Sequence, residues 1–375
     1  MKKIVIIVLI MSLVMLMAAG CKSTAPAEGA TSAQTQETAT RIITDMAGRD
    51  VEIPASVEKI VPLANTPRMI TYLGLADKAV GIGGMAAGNI SPVTAYAYAN
   101  KELWADVPIV GTDAAGATDY YPEEIIRADP DVILCSYTKE LADEIQTKTG
   151  IPVVAVSMGT LFGQDYEQAL RILADVCGVP ERAEQVIGFI EDCLADLESR
   201  TKEIPDDVKP TVLGAAATFK GAHGIEGVYA NYAVFEAIGA KDVTRGIFDT
   251  ATGVLIDKEQ VLEWNPDYLF LDSGGVNLVQ TDYEKNTDFY AHLKAVEGGR
   301  IYQYPSSTSY YSNVEIPLVN SYYVASLIYA EQFSDIAFED KANEIFKFFL
   351  GRDDYLSVLE GSGLGYGTVT LGAEE

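Results

Sequence analysis

Two glutamates, Glu123 and Glu259, occupy matching positions in two similar stretches of this chain. The stretches are residues 122–131 (PEEIIRADPD) and residues 258–267 (KEQVLEWNPD). In each stretch the glutamate stands seven residues before a Pro-Asp pair, an apolar pair follows it at helical spacing, and a β-like run comes next. A first-turn glutamate is favoured by the helix dipole, but that preference does not explain the matched position. The repetition predicts two similar α/β halves.

The residues needed for common enzymatic chemistry are scarce. Histidine occurs only at His223 and His292, which leaves little for histidine-based metal sites or acid/base catalysis. No Walker phosphate loop, Gly-x-Ser-x-Gly elbow or His-Glu-x-x-His motif occurs. Residues 81–86 (GIGGMA) match a dinucleotide fingerprint, but no clear helix follows and Pro92 interrupts soon after. We therefore predict a protein that is not an enzyme and has no cofactor.

Length and charge limit the class of protein further. The 375 residues are enough for two domains with separate cores, and the hydrophobic content of 48% is ordinary for a globular protein. The formal net charge of -27 argues against nucleic acid and against an anionic membrane surface as partners, because both require a basic face.

The first 21 residues form a targeting segment. Lys2 and Lys3 precede an apolar stretch, residues 4–17, that is short for a membrane span, and small residues then lead to Cys21. This pattern resembles a bacterial lipoprotein signal in which Cys21 becomes lipidated, although Ala18 stands where leucine is more usual. Residues 22–40 have the composition of a flexible tether. We expect an extracytoplasmic protein held on the bacterial cell membrane by a lipid anchor only, with simple secretion as the alternative.

The other three cysteines are Cys135, Cys177 and Cys193. Their odd number and the absence of Cys-x-x-Cys spacing indicate neither a full disulfide framework nor a zinc site. We interpret them as buried structural thiols.

Each half contains a strand followed by a helix, and in the first half a short hairpin-like segment at residues 41–53 precedes that strand. In the first half, a strand over residues 59–64 precedes a helix over residues 67–75, with Thr66 as the expected N-cap. In the second half, a strand over residues 211–217 precedes a helix near residues 231–238. Alternating strands and helices predict parallel sheets covered by helices, and therefore two doubly wound α/β lobes.

The most helical stretch lies between the halves, at residues 180–204. Its apolar residues recur at spacings of three and four, so one face is apolar. We predict a single long helix that joins an N-terminal lobe of residues 41–179 to a C-terminal lobe of residues 205–375. A connector of this kind would restrict the lobes to small rocking motions.

The arrangement resembles a known family, the substrate-binding proteins of bacterial ABC importers for iron-siderophore, haem and cobalamin. In that family one long helix joins two lobes and the ligand binds in the cleft between them. The resemblance covers nearly the whole mature chain. It rests on both glutamate motifs and on residues 44–54, 59–64, 72–81 and 299–305.

The resemblance implies a role for the twin glutamates. In the family, one exposed glutamate on each lobe docks against arginines of the membrane permease, and the matching residues here are Glu123 and Glu259. Glu124 is a rival to Glu123. The implied partners are an ABC permease dimer with its ATPase subunits, and we expect the binding protein to be a monomer.

The ligand is expected at the carboxyl ends of the parallel strands, where loops gather. Arg68 and Lys220 are the cations best placed to meet an anionic chelate, and Tyr310 and Tyr311 offer aromatic faces and hydroxyls. The alternatives are an exposed helix arginine, a solvated loop lysine and ordinary tyrosine packing. The full set of predicted ligand-binding residues is Asn65, Thr66, Arg68, Lys220, His223, Ser273, Tyr310 and Tyr311.

The resemblance indicates the type of transporter that the protein serves more clearly than the ligand that it binds. A ferric siderophore is the first choice, while a corrinoid, haem or an oxyanion such as molybdate stay open, and no metal is expected to bind directly to the protein. A chelatase of related fold and a structural or adhesive surface lipoprotein are the other classes. The export signal and the scarcity of histidine argue against the chelatase.

Overall fold

The structure of the chain is a computed structural model that describes residues 39–83, 90–114, 117–307 and 313–372. Cys21, Tyr310 and Tyr311 lie outside the described residues. The predictions for these residues therefore stay predictions.

The first half, which precedes the long connecting helix, contains eight strands and five α-helices among its described residues. The strands are β1 (Thr40–Thr44), β2 (Asp50–Pro54), β3 (Ile60–Pro62), β4 (Ile82–Gly83), β5 (Ile109–Ala114), β6 (Ala117–Tyr120), β7 (Val132–Cys135) and β8 (Val153–Ala155). The helices are α1 (Thr66–Tyr72), α2 (Ala95–Ala99), α3 (Pro122–Ala128), α4 (Lys139–Thr149) and α5 (Gln164–Cys177).

Strand β3 lies at the centre of the first half. It pairs in parallel with β7, which pairs in parallel with β8. A bridge between Ile60 and Ala79 connects β3 to the segment that leads into β4, and β4 pairs in parallel with β5. The chain therefore builds outward from β3 in both directions, which places a topological switch point between β3 and β7.

The second half follows the connecting helix α6 (Pro180–Thr201). Its strands are β9 (Thr211–Ala215), β10 (Gly227–Tyr229), β11 (Lys241–Asp242), β12 (Gly253–Leu255), β13 (Tyr268–Asp272), β14 (Ile301–Tyr304) and β15 (Gly367–Thr368). Its helices are α7 (Ala233–Ala237), α8 (Lys258–Trp264), α9 (Val276–Lys285), α10 (Thr287–Ala291), α11 (Lys294–Glu297), α12 (Glu315–Ile328), α13 (Phe338–Leu350) and α14 (Tyr355–Gly361).

The second sheet is mixed, whereas the alternation of strands and helices predicted parallel sheets. Strands β11, β9, β13 and β14 are parallel, but β10, β12 and β15 run antiparallel to their neighbours. The reason lies in the loop after β9. A bridge between Thr218 and Ala222 closes a tight turn, so the chain returns beside β9 as β10 instead of crossing over through a helix.

The predicted connector is confirmed as helix α6, which has 22 residues. At 1.5 Å per residue it is about 33 Å long. Its buried face includes Val186, Ile190 and Leu197, as the periodicity predicted, while Leu194 is only half buried. Burial of one complete face makes α6 part of the core rather than a free linker.

The hydrophobic core is continuous between the halves. One cluster joins residues of α1, α2 and α5 to residues of α6, α7 and the three C-terminal helices. Helix α12 packs against α7 of the second half, whereas α13 packs against α1 and α2 of the first half. The separate cores expected from chain length are therefore replaced by one central core, with a smaller cluster on each outer sheet surface.

The sequence repeat is matched by a repeated local structure. Asp131 accepts hydrogen bonds from the N–H groups of Glu58 and Lys59 at the start of β3, at 2.7 and 2.8 Å. Asp267 accepts in the same way from the N–H and hydroxyl of Thr211 at the start of β9, at 2.9 and 2.8 Å. The Pro-Asp pair therefore fixes the register between the first two core strands in each half.

The repeat also extends to backbone conformation. Helices α3 and α8 both end in a left-handed residue, Asp129 with φ 51° and Asn265 with φ 40°. Ala64 and Ala216, which follow β3 and β9 at equivalent positions, have φ values of 55° and 56°. A left-handed backbone conformation at a non-glycine residue costs roughly 1 kcal/mol or more. Because this conformation recurs at both strand ends, the surrounding structure must hold the backbone there in place.

The cysteine interpretation is confirmed. Cys135, Cys177 and Cys193 are free and buried, and burial raises the pKa of the Cys135 and Cys193 thiols to about 11. Among the described residues, none of the helices combines the length and the apolar character needed to cross a bilayer.

The two hydrogen bonds that Asp131 accepts at the start of β3, here called the strand tie, give a test of the fold. We expect Asp131→Ala to lower the free energy of unfolding by about 1–2 kcal/mol, because two backbone N–H groups lose a charged acceptor. Urea denaturation followed by circular dichroism measures the change. Asp106→Ala is the control, since Asp106 is exposed and lies outside this tie. Equal stabilities for the two variants would contradict the role of the tie.

Candidate functional site

The carboxyl ends of β3 and β7 bring together several predicted ligand residues of the first half. The backbone N–H of Asn65 donates to Oγ of Ser136 at 3.1 Å, which joins the two strand ends. The side-chain oxygen of Asn65 accepts a hydrogen bond from Arg68 at 2.5 Å. Asn65, and not Thr66, is the residue at the N-cap of α1.

Thr66 has a structural contact set. Its hydroxyl lies within hydrogen-bond distance of the carbonyl oxygens of Leu63 and Leu134, at 2.9 and 3.0 Å, and the residue is fully buried. These contacts fasten the start of α1 to both strands. The Thr66 side chain therefore stabilises the junction of α1 with β3 and β7.

Arg68 is buried, with 1% of the residue exposed, so its interpretation as an exposed helix arginine is wrong. Its guanidinium carbon lies 5.2 Å from the centre of the Tyr96 ring. The cation is thus held by a hydrogen bond to Asn65 and by the aromatic face of Tyr96. A buried, positioned guanidinium at the switch point of the first sheet is suited to an anionic group.

The corresponding strand end of the second half is organised by Asp272, which the sequence did not single out. This fully buried carboxylate accepts hydrogen bonds from Tyr229, from the Ser306 hydroxyl at 2.9 Å, from Gly274 at 2.8 Å and from both N–H and hydroxyl of Thr218. Burial raises its pKa, while these donors favour the ionised form. An aspartate directly after an apolar strand, at the position equivalent to Ser136, was the available signal.

Asp272 draws together the segments that follow β9, β13 and β14. Ser273, next in the chain, accepts a hydrogen bond from the Ser306 N–H at 3.3 Å. Beside it, the hydroxyls of Tyr232 and Ser307 lie 2.5 Å apart, and the Tyr232 ring stacks on that of Tyr229. The second strand end is therefore a polar network of hydroxyl groups over a tyrosine layer.

Lys220 and His223 lie in the tight turn after β9. Lys220 is exposed and has a φ of 50°. A ring nitrogen of His223 lies 2.8 Å from the carbonyl oxygen of Phe219, and its ring lies 4.3 Å from that of Phe219. No contact among the described residues joins either side chain to Arg68 or Ser273.

Two cavities lie away from these strand ends. One, of about 340 Å³, is lined by His223, Lys258, Leu278 and Asp282, and so lies beside the start of α8. The other, of about 560 Å³, runs along α6 and is lined by residues 160–163 and by α7. Neither is lined by Asn65, Arg68 or Ser273. Within the described part of the chain, no group of three or more His, Cys, Asp and Glu residues is placed to hold a metal ion.

The twin glutamates occupy equivalent places in equivalent helices. Each is the second residue of its helix, Glu123 in α3 and Glu259 in α8, and each is exposed. Two positions further on, Ile125 and Val261 are fully buried and anchor the helices. Neither glutamate forms an ion pair or hydrogen bond with the described residues, whereas Glu124 is paired with Arg127 at 2.5 Å.

A buried junction connects the two halves behind the strand ends. The Tyr72 hydroxyl of α1 donates to Glu315 at the start of α12, at 2.5 Å, and accepts from the Val314 N–H at 3.2 Å. Burial raises the pKa of Glu315 to about 7, although the hydrogen bond from Tyr72 and the charge of Arg68 oppose the shift. Sequence reasoning missed this junction because its partners are 243 residues apart.

Two α/β halves that present loops at matching strand ends and share one long helix define a two-lobed ligand-binding protein. The chain belongs to the periplasmic binding protein family, whose model matches residues 63–308. It is accordingly a substrate-binding protein of an ABC transporter and not an enzyme. The family resemblance and the fold class predicted from the sequence are confirmed, and the chelatase alternative is excluded.

Individual relatives are distant. A substrate-binding lipoprotein of an ABC transporter from Bacillus subtilis, YvrC, is 24% identical over 76% of this chain and 85% of its own length. An iron-uptake system-binding protein of the same organism is 24% identical over 57% of this chain and 68% of its own length. The molybdate-bound MolA of Haemophilus influenzae has a TM-score of 0.62 at 18% identity, covering 83% of this chain and 98% of MolA.

The junction predicts a pH dependence of stability. The Glu315 pKa is higher in the folded protein, at about 7, than its ordinary value of 4.5. Between these two pKa values the carboxyl keeps its proton in the folded state but has lost it in the unfolded state. The free energy of unfolding therefore has its full contribution from Glu315 below about pH 4.5, and this contribution is lost as the pH rises to about 7. We expect Glu315→Gln to be more stable than the parent protein by up to about 3 kcal/mol at pH 8, and equally stable at pH 4.

Denaturant titrations of both proteins at several pH values measure this difference. Comparison with the parent removes the contributions of other groups, including Asp272. A stability difference that does not change between pH 4 and pH 8 would contradict the assignment.

Proposed function

We propose that this protein is an extracytoplasmic lipoprotein that captures a metal chelate and delivers it to the permease of an ABC importer, and that the chelate is a ferric siderophore. The observation that carries the delivery role is the matched placement of Glu123 and Glu259 at the second position of equivalent helices. The lipid anchor would be Cys21, in agreement with the description of the relative YvrC as a lipoprotein.

The local contacts favour the two glutamates as docking points. Both carboxylates are exposed, and neither forms an ion pair or hydrogen bond with a described residue. Each is therefore available to pair with a cation of a partner protein. Glu124 is a weaker candidate than Glu123 because Arg127 already pairs with it. Two equivalent carboxylates on either side of a rigid helix suit a partner with two equivalent basic sites, as a permease dimer would provide.

The strand ends support an anionic or strongly polar ligand. The first half contributes the buried Arg68 with Asn65, and the second half contributes the hydroxyl network around Asp272. The proposed ligand set is completed by Thr66, Lys220, His223, Ser273, Tyr310 and Tyr311. Hydrogen-bond donors, a buried cation and a tyrosine layer fit a chelate that carries both charge and apolar surface.

The ferric chelate is favoured by the iron-uptake relative. An Fe3+-hydroxamate transport protein of Saccharomonospora viridis shares the fold, with a TM-score of 0.51 at 20% identity over 82% of this chain and 98% of its own. MolA provides the strongest case for a second candidate, a molybdate-type oxyanion, because Arg68 is the kind of group that holds an oxyanion. Corrinoid and haem are further candidates in the same role.

The docking role predicts the behaviour of charge-deletion variants. We expect Glu123→Ala and Glu259→Ala each to raise, by about tenfold, the concentration of binding protein that half-saturates the ATPase activity of the permease complex in lipid nanodiscs. Loss of a steering ion pair slows association and weakens its dependence on salt. Glu124→Ala is the matched control. An unchanged half-saturating concentration for both variants would show that the glutamates do not dock.

The cargo prediction is tested on protein purified from its own cells. Native mass spectrometry and absorbance are expected to show a ferric siderophore bound to the protein. Added ferric hydroxamate at 100 times its Kd should raise the free energy of unfolding of the ligand-free protein by about 2.7 kcal/mol. A corrinoid or haem spectrum, or stabilisation by molybdate alone, would contradict the siderophore prediction and identify that compound as the ligand.

A further inference from the structure

Several large apolar side chains that solvent reaches lie beside the two glutamate helices. Nine such side chains are exposed among the described residues. Four of the nine adjoin α3 or α8, namely Tyr121, Ile126, Leu255 and Leu278. Isolated exposed apolar residues are ordinary, but these four form two groups, one for each copy of the repeated motif.

In the first half, the apolar residues flank Glu123. Tyr121 directly precedes α3, and its hydroxyl lies 2.8 Å from that of Thr112, which holds the ring in place. Ile126 stands one turn after Glu123 on the same helix face and is 49% exposed. Because its neighbour Ile125 fills the core, the exposed Ile126 is not needed to anchor the helix.

In the second half, the exposed residues Leu255 and Leu278 lie in the elements before and after α8, the helix of Glu259. Leu255 is 59% exposed and lies at the end of β12, shortly before α8 begins. Leu278 of α9 borders the 340 Å³ cavity together with Lys258, the neighbour of Glu259. Lys258 is paired with Asp282 at 2.5 Å, so it does not neutralise the Glu259 carboxylate. In both halves, an unpaired carboxylate therefore stands close in sequence to an exposed apolar side chain.

We propose that these residues form two composite docking faces, a first face of Tyr121, Glu123 and Ile126 and a second face of Leu255, Glu259 and Leu278. The occupant of both is the permease dimer, with each subunit presenting a basic side chain surrounded by apolar surface. This inference rests on the proposed docking of Glu123 and Glu259. The carboxylates orient and accelerate the encounter, whereas burial of the apolar side chains supplies the larger part of the affinity.

The composite faces are tested with serine substitutions at Ile126 and Leu255. Each variant is expected to raise the half-saturating concentration for ATPase stimulation in nanodiscs by about tenfold, in line with burial of one aliphatic side chain, and to leave its salt dependence unchanged. Glu123→Ala and Glu259→Ala should instead flatten the salt dependence. Leu103→Ser is the matched control, because Leu103, in the turn between α2 and β5, is exposed to an intermediate extent, 51%.

The outcomes separate this inference from the proposed function. If Ile126→Ser and Leu255→Ser behave like Leu103→Ser while the glutamate variants are defective, the apolar inference is wrong and the docking role stands. If the glutamate variants also stimulate normally, the docking role itself is wrong. Thermal unfolding of every variant verifies the fold, and Leu278→Ser provides a second test of the second face should Leu255→Ser prove unstable.

Discussion

The packing of helix α6 is the constraint on which the rest of the structure depends. An arginine near each end fastens it to the C-terminal segment. Arg182 donates to the carbonyl oxygens of Tyr72 and Phe348, both at 2.9 Å. Arg200 pairs with Asp335 at 2.6 Å. Because α6 is held along its buried face and at both ends, the distance between the two halves is set by a rigid element, and the positions of the glutamate helices follow from it.

The C-terminal helices add a second connection between the halves. The chain returns to the first half after completing the second sheet, and α13 packs on α1 while Tyr72 and Phe349 meet edge to face at 5.0 Å. The buried hydrogen bond from Tyr72 to Glu315 lies at this contact. Large hinge motion would expose this carboxyl and the aromatic core around it, so small rocking is the motion that the packing permits.

Local regularities of the sequence were sufficient for the backbone plan of the fold. The Pro-Asp pairs predicted both repeat units, because each pair stands seven residues after a glutamate in the first turn of a helix. The apolar periodicity from residue 180 onward predicted α6, since a helix of that length must bury a continuous face. The antiparallel strands of the second sheet were not predicted, because the sequence pattern of the tight turn at Thr218–Ala222 does not differ clearly from that of a long crossover connection.

The sequence by itself determined the repeat, the connector, the buried cysteines and the two exposed glutamates, because each depends on residues close together in the chain. Only the tertiary structure decided that Arg68 is buried against Tyr96, that Asp272 gathers the loops of the second half, and that Glu315 meets Tyr72. These contacts join residues from tens to hundreds of positions apart, and no local spacing specifies them. Their energetics depend on burial, which strengthens every charge and hydrogen bond by removing water, and burial is a property of the folded chain alone.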